Sequence, residues 1–402
     1  MAGGKLAMNR SGFFDAVRAV MTPGEPGCGL PNPAYVDEDI FTLEQEAVFA
    51  ATWACIGFEK DAPLVGDVFP LSFLDQPLVM VRSSDSDIRV FHNVCSHRGM
   101  ILVEEPGNTR GLLRCPYHSW CYDLQGDLKR TPYIGGPDQD DHPCFDKSDH
   151  GLRAVRTATA FGMVFVNLSG EAPAFKDVHA DFLSRWAEFK DAPLTHGGAD
   201  STLTFTLETN WKLAVENYCE SYHLPWVHPG LNSYSRIEDH YNINEPGRFS
   251  GQGTTVYAPT LMEGSDKTFP VLPDLSDMWA TGAEYIALYP NVLLGIHKDH
   301  AFAILIMPDG PHRCHEQVEI FYYSDASARP DYADLREANA SAWQQVFAED
   351  VGVVEGMQRG RASSGFGGGV FSPVLDTPTR CFHMWIAEKY LSFSKPQTIA
   401  AE

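Results

Sequence analysis

Cys95, His97, Cys115 and His118 follow one another as C-x-H-x17-C-x2-H, inside the segments NVCSHRGM and LLRCPYHSW. Four metal-seeking side chains in two short segments restrict the chain to folds in which those segments meet. Gly99, Gly107 and Gly111 permit turns beside the pairs and Pro116 stiffens the second. Each pair therefore reads as the tip of a β-hairpin-like loop. Two thiolates and two imidazoles suit tetrahedral zinc, or a [2Fe-2S] cluster with two histidines on one iron. Zinc fingers pair like with like, as C-x2-C and H-x3-H. Here each loop supplies one Cys and one His, which lets one iron take both thiolates and the other both imidazoles.

A second constellation lies in NWKLAVENYCESYHLPWVHPG, residues 210–230. Glu220 and His223 are three apart, a spacing that shares a helix face. His228 is five beyond His223 and would point elsewhere on an unbroken helix. Pro225 is expected to break or kink that helix and turn His228 back towards His223. Two imidazoles then occupy neighbouring corners of a 2-His-1-carboxylate metal site. The third ligand must come from elsewhere. In AWQQVFAEDVGVVEGM, Asp350 shares a helix face with Val346, Phe347, Val353 and Val354, where an acid is costly unless it is paired or metal-bound. Glu349 lies on the flank, so Asp350 is the expected ligand.

The chain has 402 residues, which favours two domains. We expect an α+β protein: an N-terminal arm over 1–40 packing on the catalytic domain, an all-β domain over 41–168, and a domain with an antiparallel sheet and long helices over 169–402. Helical patterns cover a short N-terminal stretch, 42–54, 175–192 and about 330–361, the last ending at Gly360 before SSGFGGG. Strand patterns cover DVFPLSF, PLVMVRS, IRVFHNV and GMVFVNL, then about 254–258, 284–289, 292–297, 301–307 and 315–323. The last dozen residues read as a frayed tail. A net charge of −23 disfavours nucleic acid and anionic membrane and favours cationic or neutral ligands. No apolar run reaches the ~20 residues of a membrane span, and the N-terminus lacks the order of a secretory signal. Nine cysteines without a small-scaffold spacing point to thiols or metal ligands. A soluble, cytoplasmic protein is expected.

The CPYHSW segment resembles the C-P-Y-H-G-W of Rieske proteins. Those of respiratory cytochrome complexes resemble C-T-H-L-G-C and C-P-C-H, with a disulfide joining the loops. The matching positions here are Met100 and Tyr117, so the chain resembles the oxygenase type instead. The acid-x-x-His-x4-His of Rieske non-haem iron oxygenases maps onto Glu220, His223 and His228, and their ED…E…Q-x-G onto Glu349 to Gly360. The resemblance spans roughly Asp37 to Tyr390. It implies a helix-grip type catalytic domain, a Rieske cluster on Cys95, His97, Cys115 and His118, and Fe(II) on His223, His228 and Asp350. It also implies O2 as co-substrate and a head-to-tail homotrimer. Glu220 would bridge His118 of one subunit and His223 of its neighbour, although many members have Asp there. The chain has neither a G-x-G-x-x-G after a strand nor a plant-type C-x4-C-x2-C. Electrons from NAD(P)H must therefore come through a separate reductase or ferredoxin component.

Aromatic residues crowd the catalytic half, including Tyr222, Trp226, Tyr285 and Tyr289. They suit a cage for a quaternary ammonium, each ring adding ~0.5–2 kcal/mol. The 210–230 stretch also resembles the subgroup acting on glycine betaine, carnitine and stachydrine, which hydroxylates an N-methyl group. His297 is a candidate contact for a substrate carboxylate. The competing readings are a ring-hydroxylating or aryl-ether-demethylating oxygenase, a Rieske electron carrier without catalysis, and a zinc-stapled binding protein.

Overall fold

The computed structural model describes residues 10–24 and 27–393. Residues 1–9, where a secretory signal was not expected, lie outside the described residues, as do residues 394–402 of the expected tail. Two compact units emerge, one of residues 49–175 and one of residues 10–48 with 176–393.

The first unit is built from short antiparallel strands, of which Ala54–Phe58 and Met163–Asn167 are buried at every residue. Its seven-stranded sheet runs Ala54–Phe58, Met163–Asn167, Ala154–Ala160, Asp87–His92, Gln76–Ser84, Asp67–Phe73, Gly107–Asn108. A second, three-stranded sheet, Leu112–Arg114, Cys121–Asp123 and Leu128–Arg130, was not foreseen. Its strands are only three residues long and carry little pattern. Val79, Val81 and Phe91 of the large sheet and Leu113 and Tyr122 of the small one enclose Cys95 and Cys115 in one buried core.

The second unit centres on an antiparallel sheet ordered Thr195–His196, Cys314–Tyr322, His300–Pro308, Val292–Ile296, Ala283–Leu288, Phe249–Thr254, His240–Glu245, with Thr202–Leu207 also paired to Cys314–Tyr322. Every residue of Ala283–Leu288 and Val292–Ile296 is buried, as expected of strands covered on both faces. The strand expected at 254–258 instead occupies Phe249–Thr254, and the chain leaves the sheet at Thr255, ahead of Pro259. The expected helix at 175–192 is three short pieces: Phe175–Val178, Ala180–Arg185 and the 3-10 turn Ala187–Phe189. The one expected at 42–54 is the helix Glu38–Glu44 followed by a wide turn over Gln45–Ala50. Among the described residues no helix is long and apolar enough to cross a membrane.

Three helices pack around this sheet: Trp211–Cys219, Ala333–Arg361 and Thr377–Phe393. Asn210 starts the first by accepting from the Lys212 amide at 3.1 Å, a side-chain cap. The same Asn210 donates its own amide to Gln358 Oε1 at 3.0 Å, joining this start to the long helix. Lys212 and Glu44, both fully buried, form an ion pair that also takes the Trp211 indole at 2.9 Å and the Tyr390 hydroxyl. One turn on, Glu216 meets Tyr35, Arg361 and, at 3.0 Å, His383. Buried charges persist only where so fully partnered. These contacts keep residues 41–48 with the second unit, and they lock the helix that leads into Glu220. The long helix carries Gly352, Gly356 and Gly360 in its last three turns, with open space beside Gly352 and Gly360.

Candidate active site

The two cysteine–histidine loops are built alike. The Cys95 amide donates to the Met100 carbonyl at 2.8 Å and the Gly99 amide to the Cys95 carbonyl at 2.9 Å. In the second loop the Cys115 amide donates to Trp120 at 2.8 Å and the Ser119 amide to Cys115 at 3.0 Å. The fifth residue of each loop has positive φ, +71° at Gly99 and +61° at Ser119. Glycine adopts this freely; Ser119 strains to do so, and its hydroxyl accepts from Arg114 at 2.8 Å. The thiols of Cys95 and Cys115 are buried, and the rings of His97 and His118 stand 4.7 Å apart. Trp120 stacks on His97 at 4.7 Å. The Tyr122 hydroxyl lies 3.1 Å from Cys95 Sγ. Nδ1 of His118 is buried with no protein partner. Two adjacent thiols, two imidazoles and an orphaned ring nitrogen are the donors a [2Fe-2S] group requires. No disulfide joins any of the nine cysteines.

The second constellation converges as well, by a route that differs from expectation. The helix stops at Cys219, before Glu220, whose backbone is extended (φ −122°, ψ 159°). Pro225 breaks nothing; it sits in the first turn of a new short helix, Leu224–Val227, where a missing N–H costs no hydrogen bond. His223 and His228 flank that helix on its two sides. Asp350 arrives from the long helix. Ligand atoms of His223, His228 and Asp350 all lie within 4.8 Å of one another. Asp350 Oδ1 is 3.1 Å from His228 Nε2 and 3.8 Å from His223 Nε2. That oxygen is buried and makes no hydrogen bond. Ligands about 2.1 Å from one ion and at right angles stand about 3 Å apart, so the group fits a single metal.

The far nitrogens of both imidazoles are held by carboxylates. His223 Nδ1 lies 2.7 Å from Glu220 Oε1, and His228 Nδ1 lies 2.8 Å from Glu349 Oε2. Each carboxylate favours a proton on Nδ1, leaving Nε2 free for a metal. Burial opposes charge on His228, but Asp350 and Glu349 outweigh it and lift the imidazole above its ordinary value. Glu220 is itself fixed, its other oxygen accepting from the amides of Tyr222 and His223. Glu349 was not foreseen in this role; its position next to the ligand was the available signal. His240 was also missed. It faces the same cavity, with both ring nitrogens engaged, by Gln252 at 2.6 Å and Ser235 at 2.9 Å.

The cavity beside these ligands measures about 50 Å³ and is walled by Tyr285, Phe302, Trp343 and Phe347. Gly295 makes room for this wall, since a Cβ there would stand 2.3 Å from the Phe302 ring. Of the expected substrate residues, Tyr285 lines the cavity. His297 stands behind it, its Nε2 3.1 Å from the Tyr285 hydroxyl. Tyr289 does not take part: it is core, packed on Phe382 and Trp385. Tyr222 and Trp226 also lie outside, 43% and 71% exposed and paired edge to face.

A β-rich unit presenting two Cys–His loops, and a second unit presenting two histidines and an aspartate beside an aromatic cavity, define a Rieske-type oxygenase. Residues 183–392 match the ring hydroxylating alpha subunit (catalytic domain) family and residues 52–145 the Rieske [2Fe-2S] domain. The chain belongs to this family of alpha subunits, whose cofactors are a Rieske cluster and a mononuclear iron acting with O2. Among curated relatives, glycine betaine monooxygenase oxygenase subunit of Chromohalobacter salexigens is 28% identical, over 94% of this chain and 89% of its own. Chloroplastic choline monooxygenase of Arabidopsis thaliana is 27% identical, over 90% and 82%. A quaternary ammonium Rieske monooxygenase solved with L-carnitine superposes with a TM-score of 0.72 at 22% identity, over 94% and 98%. Naphthalene 1,2-dioxygenase from Rhodococcus sp. gives 0.73 at 19%, over 98% and 100%. At such identities the two structures show a shared fold.

Proposed function

We propose that this chain is the oxygenase component that hydroxylates an N-methyl group of a betaine-like quaternary ammonium compound, the methyl then leaving as formaldehyde. The observation that carries this reading is the wall of the 50 Å³ cavity. Tyr285, Phe302, Trp343 and Phe347 offer aromatic rings beside the Asp350 carboxylate, and among the described residues no lysine or arginine lines it. Such a surface attracts a permanent cation, at ~0.5–2 kcal/mol per ring. The names of the curated relatives agree with it.

Cys95, His97, Cys115 and His118 are assigned to the cluster, and His223, His228 and Asp350 to the iron. When bound, these groups supply electrons one at a time and activate O2 for attack on a C–H bond. The chain does the rest. Glu349 and Glu220 orient the imidazoles, the aromatic wall excludes water, and the Tyr122 hydroxyl near Cys95 Sγ tunes the cluster's potential. Glu220 has one oxygen on His223, and we assign it the inter-subunit bridge to His118 in a head-to-tail trimer. A separate NAD(P)H-dependent reductase provides the electrons. Nine cysteines with no disulfide among them suit a reducing compartment such as the cytoplasm.

The test is formaldehyde release from a panel of betaines, assayed with a generic reductase. Release from at least one is expected. Release from none, with an aromatic acid turned over instead, would overturn the reading.

A further inference from the structure

A second and larger cavity, of about 470 Å³, lies in the same unit, behind the aromatic wall. The two cavities share no lining residue. Tyr285 and Trp343 face the smaller cavity, and Tyr257 and His297 line the larger. Tyr257 stacks parallel to Trp343 at 6.1 Å and lies 4.6 Å from the His297 ring.

The small cavity cannot hold a betaine unaided. Its 50 Å³ is a third of the roughly 150 Å³ that admits benzene, and a trimethylammonium group with an acidic arm is the bulkier guest. Such a substrate needs room beyond these 50 Å³, and the space behind the wall is one place that offers it.

Two aspartates, Asp266 and Asp299, line that space together with two lysines. Lys267 and Lys298 both line it, and their ammoniums rest on the backbone carbonyls of Asp331 and Ala280. Asp299 is engaged by His300 Nδ1 at 2.7 Å. His300 is fixed as the Nδ1–H tautomer, because its Nε2 accepts from the Trp343 indole at 3.1 Å. His297 is different. It is 1% exposed, its Nε2 meets Tyr285, and its Nδ1 has no partner. Burial, with His300 beside it, keeps the ring uncharged. Asn339, 0% exposed on the same cavity, likewise has an unpartnered Oδ1. Buried polar atoms left without partners are uncommon and call for a reason.

We propose that the larger cavity receives the carboxylate arm of the substrate while the methylated nitrogen sits in the aromatic chamber, with Tyr257 yielding between them and His297 Nδ1–H and Lys298 reading the arm. This rests on the N-methyl reading above. A Tyr285 hydroxyl donating to His297 Nε2 places the proton on Nδ1, the tautomer a carboxylate selects. The substrate then lies with its cation over the rings of the inner chamber and its anion on the side of His297 and Lys298.

The experiment compares trimethylammonium compounds whose arms end in a carboxylate or in a hydroxyl. The wild type, His297→Leu, His297→Gln and Lys298→Met are assayed by formaldehyde release, and folding is checked by circular dichroism and cluster absorption. The wild type should favour the carboxylate arm in kcat/KM. His297→Leu should lower that preference at least tenfold, chiefly through KM, and His297→Gln, which keeps a donor, should recover part of it. Lys298→Met should lower it too. Folded variants that keep the wild-type ratio overturn this proposal and leave the N-methyl reading standing. A wild type that releases formaldehyde from none of the compounds overturns that reading, and this proposal with it.

Discussion

Glu349 holds His228 by a 2.8 Å contact to Nδ1, from the position immediately before the carboxylate that faces the same imidazole's Nε2. Two consecutive acids on one helix thus serve opposite edges of one ring. Removing such a supporting carboxylate costs about 10–100-fold in metal affinity. Glu349→Ala should lose mononuclear iron on dialysis by that factor and keep its cluster spectrum. Full iron retention would refute the orienting role.

The two metal-binding constellations belong to separate compact units, which makes them separable by mutation. His223→Ala or Asp350→Ala should abolish turnover and leave the cluster absorption intact. Cys115→Ser should bleach the protein. Loss of colour in either of the first two would contradict the division.

Glu220 has one oxygen on His223 and the other on two backbone amides, so replacing its charge should leave the fold and the iron in place. Glu220→Gln is expected to slow electron delivery to the iron in single-turnover kinetics at unchanged iron content. Unchanged kinetics would dispose of the bridging assignment.

His179 gives a pH prediction. Burial, helped by the charge of Arg248, pushes its imidazole down to about 4. Below pH 6.5 the unfolded chain takes up a proton that the folded one refuses until about pH 4, so stability falls as pH falls through this window. One such group costs about 2 kcal/mol between pH 7 and pH 5. Thermal melts of His179→Phe should show a shallower decline over that range than the wild type. Parallel declines would count against it.

The meeting of the two cysteine–histidine loops was legible because such pairs are written locally, in residue types a few positions apart. Asp350 was legible because an acid within an apolar stripe needs a reason. The Thr377–Phe393 helix was not: nine of its seventeen side chains are buried, leaving only a narrow polar stripe at Arg380, Glu388 and Ser392 to mark it. The strand His240–Glu245 sits at a sheet edge with mostly half-buried polar residues and shows no alternation of its own. Pro225 misled because a proline starts a helix as readily as it ends one, and only the flanking backbone tells which. Tyr222, Trp226 and Tyr289 do not line the small cavity, and an aromatic residue reads alike in sequence whether it lies in a cavity, a core or at the surface.

The glycines at 352, 356 and 360 each weaken the long helix by about 1 kcal/mol relative to alanine, immediately downstream of Asp350. What steadies this stretch is its anchorage, through Gln358 to Tyr35 and Arg361 to Glu216, and on the other side whatever Asp350 grips. Upstream, buried Trp343 and Phe347 seat the same helix, so the glycine-bearing turns are held from both directions. The weak backbone of those turns is thereby offset by packing and by the anchors at Gln358 and Arg361.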